Sequence, residues 1–223
     1  MRVALYYAPA LDDPLWSLGA AWLGRDPETN APLDQPDLPD IAAITSDARG
    51  YGFHATLKPP MRIVPGLGWD AVVTAADDIA ATLPPFDLPR LEVADLQGFL
   101  ALRDAEASPA LQELSDACVR GLDHLRAPPS DAELARRRRS KLTPQQDAML
   151  VRWGYPYVFE TWFFHITLTR RLSLPELAIY RPAAEAMFAD VLRAPRRVVD
   201  ICLFVQPTDG KPFTLAERLP LRG

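Results

Sequence analysis

The segment Phe53-His54-Ala55-Thr56-Leu57 returns, with four of its five residues kept, as Phe164-His165-Ile166-Thr167-Leu168. In an extended strand, residues two apart share a face, so each copy sets an imidazole beside a hydroxyl: His54 with Thr56, and His165 with Thr167. The intervening Phe53, Ala55 and Leu57, like Phe164, Ile166 and Leu168, then point to a core. Each copy is followed by a loop, a helical pattern and a strand pattern, and residues 93–100 also match 198–205 without a gap through Val, Asp and Phe at common positions. Two matches in the same order imply two copies of one supersecondary unit, over about 45–105 and 157–210.

Working outward, alternating apolar residues predict strands over 2–8, 51–57, 157–169 and 197–206, with a strand pair over 90–102 interrupted at Gly98. Pro59-Pro60 is expected to end the strand that carries His54. Helical spacing covers 15–23, 69–83, 130–139 and 175–192. Ser108-Pro109 and Thr143-Pro144 each pair a capping hydroxyl with a first-turn proline, opening helices that run to about 125 and to Gly154. Residues 26–40, dense in Pro, Asp and Asn, read as a surface loop. The expected fold class is therefore α+β: two pseudo-symmetric lobes, each an antiparallel sheet with outer helices, and an active-site cleft between the sheets. Residues 1–223 form one bilobal domain, with an insertion at about 126–157 between the units.

The composition is that of an ordinary globular chain: 223 residues, 48% apolar and 24% charged, with a formal net charge of -5. That balance opposes binding to long nucleic acids through the overall field but leaves room for a local basic site. No segment has the length of an apolar membrane span, and the N-terminal residues meet Pro9 and Asp12 too soon for a signal peptide, so a cytoplasmic location is expected. Cys118 and Cys202 stand in apolar-periodic segments without neighbouring ligand types, as buried reduced thiols do.

A cleft flanked by two imidazoles suits phosphoester cleavage. The attacking oxygen must lose a proton while the leaving oxygen gains one on the opposite side of phosphorus, and histidine, with a reference pKa of about 6.5, performs either task near neutrality. The hydroxyls of Thr56 and Thr167 are placed to hydrogen-bond non-bridging phosphate oxygens.

The paired His-Ala-Thr-Leu and His-Ile-Thr-Leu resemble the two signature tetrapeptides of the two-histidine (2H) phosphoesterase superfamily, which includes bacterial RNA 2',3'-cyclic phosphodiesterases of the 2'-5' RNA ligase type. More narrowly, the opening Tyr6-Tyr7-Ala8-Pro9, Trp22-Leu23-Gly24-Arg25 and Arg152-Trp153-Gly154-Tyr155-Pro156-Tyr157 resemble a bacterial branch associated with phosphonate metabolism. The resemblance implies His54 and His165 as acid and base, Thr56 and Thr167 as phosphate ligands, no metal and no cofactor, and a cyclic phosphodiester of a small phosphorylated ribose or nucleotide as substrate. Ribosyl 1,2-cyclic phosphate and nucleoside 2',3'-cyclic phosphate are the expected forms. The alternatives are RNA-end processing, with RNA as partner, and a non-catalytic phosphate- or RNA-binding module. A metallo-hydrolase ranks last, because each motif offers one histidine and no carboxylate at ligand spacing.

Lys58 shares strand parity with His54 and is a candidate phosphate contact, and Arg170, of opposite parity to His165, a weaker one. Tyr155 and Tyr157 are candidates for stacking on a ribose or base, and Tyr51 a looser one. His124, on a helix without a partner motif, reads as a surface or internally satisfied residue. Arg136-Arg137-Arg138-Arg139 reads as a solvated helix face with phosphate binding as the minority alternative.

Overall fold

The computed structural model describes residues 1–223. Nine strands occur: β1 (Arg2–Tyr7), β2 (Ala55–Arg62), β3 (Phe86–Leu88), β4 (Leu91–Asp95), β5 (Phe99–Asp104), β6 (His165–Arg171), β7 (Arg196–Val198), β8 (Asp200–Gln206) and β9 (Thr214–Pro220). Eight α-helices accompany them: α1 (Pro14–Leu23), α2 (Ile41–Ile44), α3 (Ser46–Tyr51), α4 (Trp69–Thr82), α5 (Pro109–Leu122), α6 (Asp131–Arg138), α7 (Pro144–Trp153) and α8 (Leu174–Phe188). The α+β class is as expected. Ser108 and Thr143 cap α5 and α7 through their hydroxyls, each with proline in the first turn.

Seven strands form an antiparallel sheet in the order β4-β5-β6-β2-β1-β8-β9, while β3 and β7 pair separately. The large sheet is nearly two sheets. Between β2 and β6 one pair is made, Ala55 with Ile166, and the strands then part. One half is β4-β5-β6, with α8 behind β4 and α1 to α3 behind β6; the other is β2-β1-β8-β9, with α4 and α5 behind it. Neither half is built from one repeat alone. After β2 and α4 the chain crosses to pair β5 with β6, and after β6 and α8 it crosses back to pair β8 with β1. Each crossing begins with a short strand, and these two, β3 and β7, lie antiparallel to each other.

Burial explains the order. Val3, Leu5 and Tyr7 enter the main core with Leu57, Ile166, Leu168 and Leu203, whereas Ala4 and Tyr6 join a smaller cluster with Cys202, Phe204 and Phe213 on the opposite face. A strand buried on both faces belongs in the middle of a sheet. Both cysteines are buried and free.

Several expected boundaries move. Tyr51 ends α3 rather than opening a strand over 51–57, and 159–161 form a 3-10 turn, so each histidine stands at the start of its strand. Pro59 and Pro60 lie inside β2. Beyond Ala55 the β6 side of β2 has no ladder to feed, and proline, which lacks an N–H, is tolerated on such an edge. The matched 93–100 and 198–205 are not equivalent, because Gln97 and Gly98, both at positive φ, turn β4 back into β5 while Leu203 continues β8.

Candidate active site

The single β2–β6 pair organises the site. Extending its register by one residue each way sets Thr56 opposite His165 and Thr167 opposite His54, all four on one face. His54 and His165 then occupy a diagonal of that register, and the charge of His165 reaches His54. Burial follows the alternation: Phe53, Ala55, Leu57, Phe164, Ile166 and Leu168 are at most 1% exposed, and the four polar residues are half-buried.

Both imidazoles are held the same way. His54 Nδ1 lies 2.9 Å from the carbonyl oxygen of Gly52, and His165 Nδ1 lies 3.2 Å from that of Phe163. A carbonyl only accepts, so each Nδ1 carries the hydrogen and each Nε2 keeps its lone pair. The hydroxyl of Thr56 donates to His54 Nε2 at 3.1 Å. Tyr6 stacks on the His54 ring with centroids 3.6 Å apart; Phe163 stacks on His165 at 4.7 Å, and Phe99 meets His165 edge-on at 6.0 Å.

Burial lowers the pKa of both. His54 is driven to about 4, chiefly by desolvation and then by the charge of His165, against the opposing pull of the Gly52 carbonyl. His165 is lowered by burial and raised by the Phe163 carbonyl. Burial thus favours the neutral form of both imidazoles in the unliganded protein.

Local structure fixes the His54 turn. Gly52 ends α3 at φ 90° and ψ 177°, a conformation open to glycine alone, and a Cβ there would stand 2.8 Å from Pro27 Cβ. Arg25, 7% exposed, donates to the carbonyls of Arg49 and Phe213 at 2.8–2.9 Å, tying α3 to the segment before β9. The Trp-Leu-Gly-Arg stretch thus acts through its arginine as a brace. Trp162 Nε1 donates to Thr56 O at 2.8 Å and ties the two halves beside the site.

A cavity of about 520 Å³ opens from Thr56 and His165 and is walled by Tyr155, Tyr157, Trp162 and Arg171. Its lining excludes His54 and Thr167, which lie on the same strand face beside it. The structure therefore brings together His54, His165, Thr56, Thr167, Tyr155 and Tyr157. Tyr51 joins from the end of α3, its ring 5.4 Å from Phe213 and 6.3 Å from His54.

Two candidates are corrected. Lys58 is 1% exposed and turned away: its Nζ donates to Val119 O at 2.9 Å and pairs with Asp123 at 3.2 Å. The cause is a bulge, since Tyr6 faces Thr56 while Leu5 faces Lys58, so one extra residue reverses the parity between them. Arg170 lies outside the cavity wall and pairs with Glu176 at 2.8 Å. The neighbouring Arg171, which keeps the parity of His165, lines the cavity instead, with its guanidinium on the carbonyl of Gln97. Counting in twos from His165 would have found it. His124 is exposed, as expected. No group of three or more His, Cys, Asp or Glu side chains converges as a metal site would require, and no helix is long and apolar enough to cross a membrane.

The model of a family described as a protein of unknown function, DUF1045, matches residues 56–214. The chain belongs to the DUF1045 family. Its match runs from Thr56 through both threonines, His165 and the tyrosine segment into β9. The chain is also 37% identical over its full length to the ribose 1,5-bisphosphate phosphokinase PhnN of Janthinobacterium sp. (strain Marseille), and 37% identical over 96% of its length to the protein of that name from Laribacter hongkongensis (strain HLHK9). This DUF1045 chain spans about half the length of these curated relatives. Among solved structures, E. coli LigT complexed with 3'-AMP aligns with a TM-score of 0.48 at 12% identity, over 100% of this chain and 98% of that one. TT0787 of Thermus thermophilus aligns at 0.47 and 15% identity, over 100% and 99%.

Proposed function

We propose that the protein is a phosphodiesterase that opens a cyclic phosphate on a small ribose or nucleotide by paired-histidine acid–base catalysis. The observation that supports this most is the matched posture of two imidazoles on neighbouring strands, each with Nδ1–H on the carbonyl two residues before it and Nε2 left as the base. The phosphate lies between them, held by Thr56 and Thr167. His54, kept neutral by its burial, accepts a proton from water at Nε2 while the water oxygen bonds to phosphorus. His165 carries the proton that the anionic phosphate draws in and delivers it to the departing sugar oxygen. One P–O ester bond breaks, one P–O bond to water forms, and the product is a phosphomonoester beside a free hydroxyl.

Among cyclic phosphates we favour ribosyl 1,2-cyclic phosphate. The relatives are named for a kinase acting on ribose 1,5-bisphosphate, yet are about twice this chain's length. In this chain the single Gly-Lys pair, Gly210-Lys211, is followed by proline, so it has no phosphate loop of the Gly-Lys-Ser/Thr kind. Breaking the bond from phosphorus to O2 leaves the phosphate on O1, which is the kind of compound such a kinase takes. RNA-end processing is the weaker reading. Of the four consecutive arginines, Arg138 is spent on Asp147, and only Arg137 is turned inward.

The test is a substrate panel in EDTA, comparing ribosyl 1,2-cyclic phosphate, nucleoside 2',3'-cyclic phosphates and short RNAs with cyclic ends. Turnover of the ribosyl compound with the highest kcat/KM is expected. Turnover of RNA ends alone would move the substrate to RNA, and turnover of none would remove the catalytic reading.

A further inference from the structure

Helix α6 buries none of its residues, and its first turn is closed by a capping box between Ser130 and Glu133. What fixes it over the cleft is polar: Arg62 of β2 pairs with Glu133 at 2.8 Å, and Arg138 with Asp147 of α7 at 2.7 Å. A helix without an apolar face contributes little to folding, so its position calls for another reason. Arg137 supplies one. Its guanidinium has neither hydrogen bond nor ion pair and lies over the ring of Tyr155, 4.7 Å from the centroid, in the wall of the cavity that contains Thr56 and His165.

A second group beside it also lacks a partner. Tyr6 is fully buried, stacked on His54, and its hydroxyl has no hydrogen bond, which is costly for a buried polar atom. Tyr51 stands near the same imidazole, its ring centroid 6.3 Å from that of His54. The unspent cation itself sits on a phenol in the wall of the cavity that holds Thr56 and His165. Glu133, the carboxylate within electrostatic reach of Arg137, is already held by Arg62 and Ser130. Arg171, the cation that lines the cavity, is engaged by the Gln97 carbonyl.

We infer that Arg137 and Tyr155 form a second anion subsite at the edge of this cavity, which takes a phosphomonoester carried elsewhere on the sugar whose cyclic phosphate is opened between the histidines. This rests on the function proposed above and narrows it: the substrate is a ribosyl cyclic phosphate bearing a second, terminal phosphate. A guanidinium with planar, fixed donors suits such a group, and charge-assisted contacts of this kind change affinity by about ten- to a hundred-fold.

Calorimetric binding of ribose 1-phosphate and ribose 1,5-bisphosphate to wild type, Arg137→Ala and Arg137→Lys tests the subsite without turnover. The bisphosphate should bind wild type about 10²-fold tighter, the ratio should fall below about threefold in Arg137→Ala, and lysine should restore part of it. A ratio near one in wild type, or an undiminished ratio in Arg137→Ala, would overturn the subsite. Since α6 buries no residue, the variants are expected to keep the wild-type melting temperature. Hydrolysis of ribosyl 1,2-cyclic phosphate with and without a 5-phosphate separates the two claims. Equal kcat/KM for both in wild type removes the subsite and leaves catalysis standing. No hydrolysis of either, with the Arg137-dependent binding ratio intact, removes catalysis and leaves the subsite standing.

Discussion

At the residue scale the site rests on where protons sit. Both histidines have folded-state pKa values below the ordinary 6.5, so a bound anion should draw a proton in from solvent. Titration with sulfate at pH 7 in buffers of different ionisation enthalpy should show uptake approaching one proton per site, and none in His165→Gln. The same shift carries a stability cost. The unfolded chain binds the His54 proton more readily than the native one, so this contribution is complete above pH 6.5 and is lost as pH falls toward about 4. Its upper bound is about 3 kcal/mol. Melting temperature against pH should fall less steeply across that window for His54→Gln than for wild type. An identical slope would mean the imidazole is not desolvated. Lys58 and Asp123 make a different kind of pair. Asp123→Ala strands a buried ammonium and should cost about 3–5 kcal/mol in denaturant unfolding, whereas Lys58→Met should cost about 1 kcal/mol or less and leave KM within twofold.

At the scale of elements, the His-x-Thr-Leu strands were legible because alternation is local and both copies agree. The helices over 69–83, 108–122 and 143–154 were legible from capping pairs and spacing. What lay beyond the sequence were features that depend on a neighbouring strand. The bulge that reverses Lys58 exists only against β1, and the tolerance of Pro59 and Pro60 inside β2 exists because β6 departs after one pair. The turn holding His54 also depends on distant residues, with Pro27 packed against Gly52 and Arg25 tying α3 to Phe213. Gly52→Ala should lower stability by about 1–3 kcal/mol and reduce kcat more than it raises KM, because the carbonyl that orients His54 shifts with the backbone. A variant with wild-type melting temperature and kcat would show that the positive φ at Gly52 does not position the imidazole.

At the scale of the whole molecule, the repeat in the sequence and the halves of the sheet are different divisions. Each half borrows strands that follow the other motif, with β5 beside β6 and β8 beside β1, so the cleft forms only when both crossings are complete. Fragments 1–125 and 126–223 should therefore each lack a cooperative melt. Cooperative unfolding of either fragment alone would contradict the interleaved topology. The same crossing sets the two motif strands side by side at Ala55 and Ile166, the arrangement on which the proposed two-imidazole site depends. The most direct test of that claim follows ribosyl 1,2-cyclic phosphate by phosphorus NMR in EDTA, with wild type, His54→Ala and His165→Ala. Wild type should convert the cyclic signal to a monoester, and each variant should lose about 10²-fold or more in kcat/KM. Near-wild-type turnover in either variant would contradict the account.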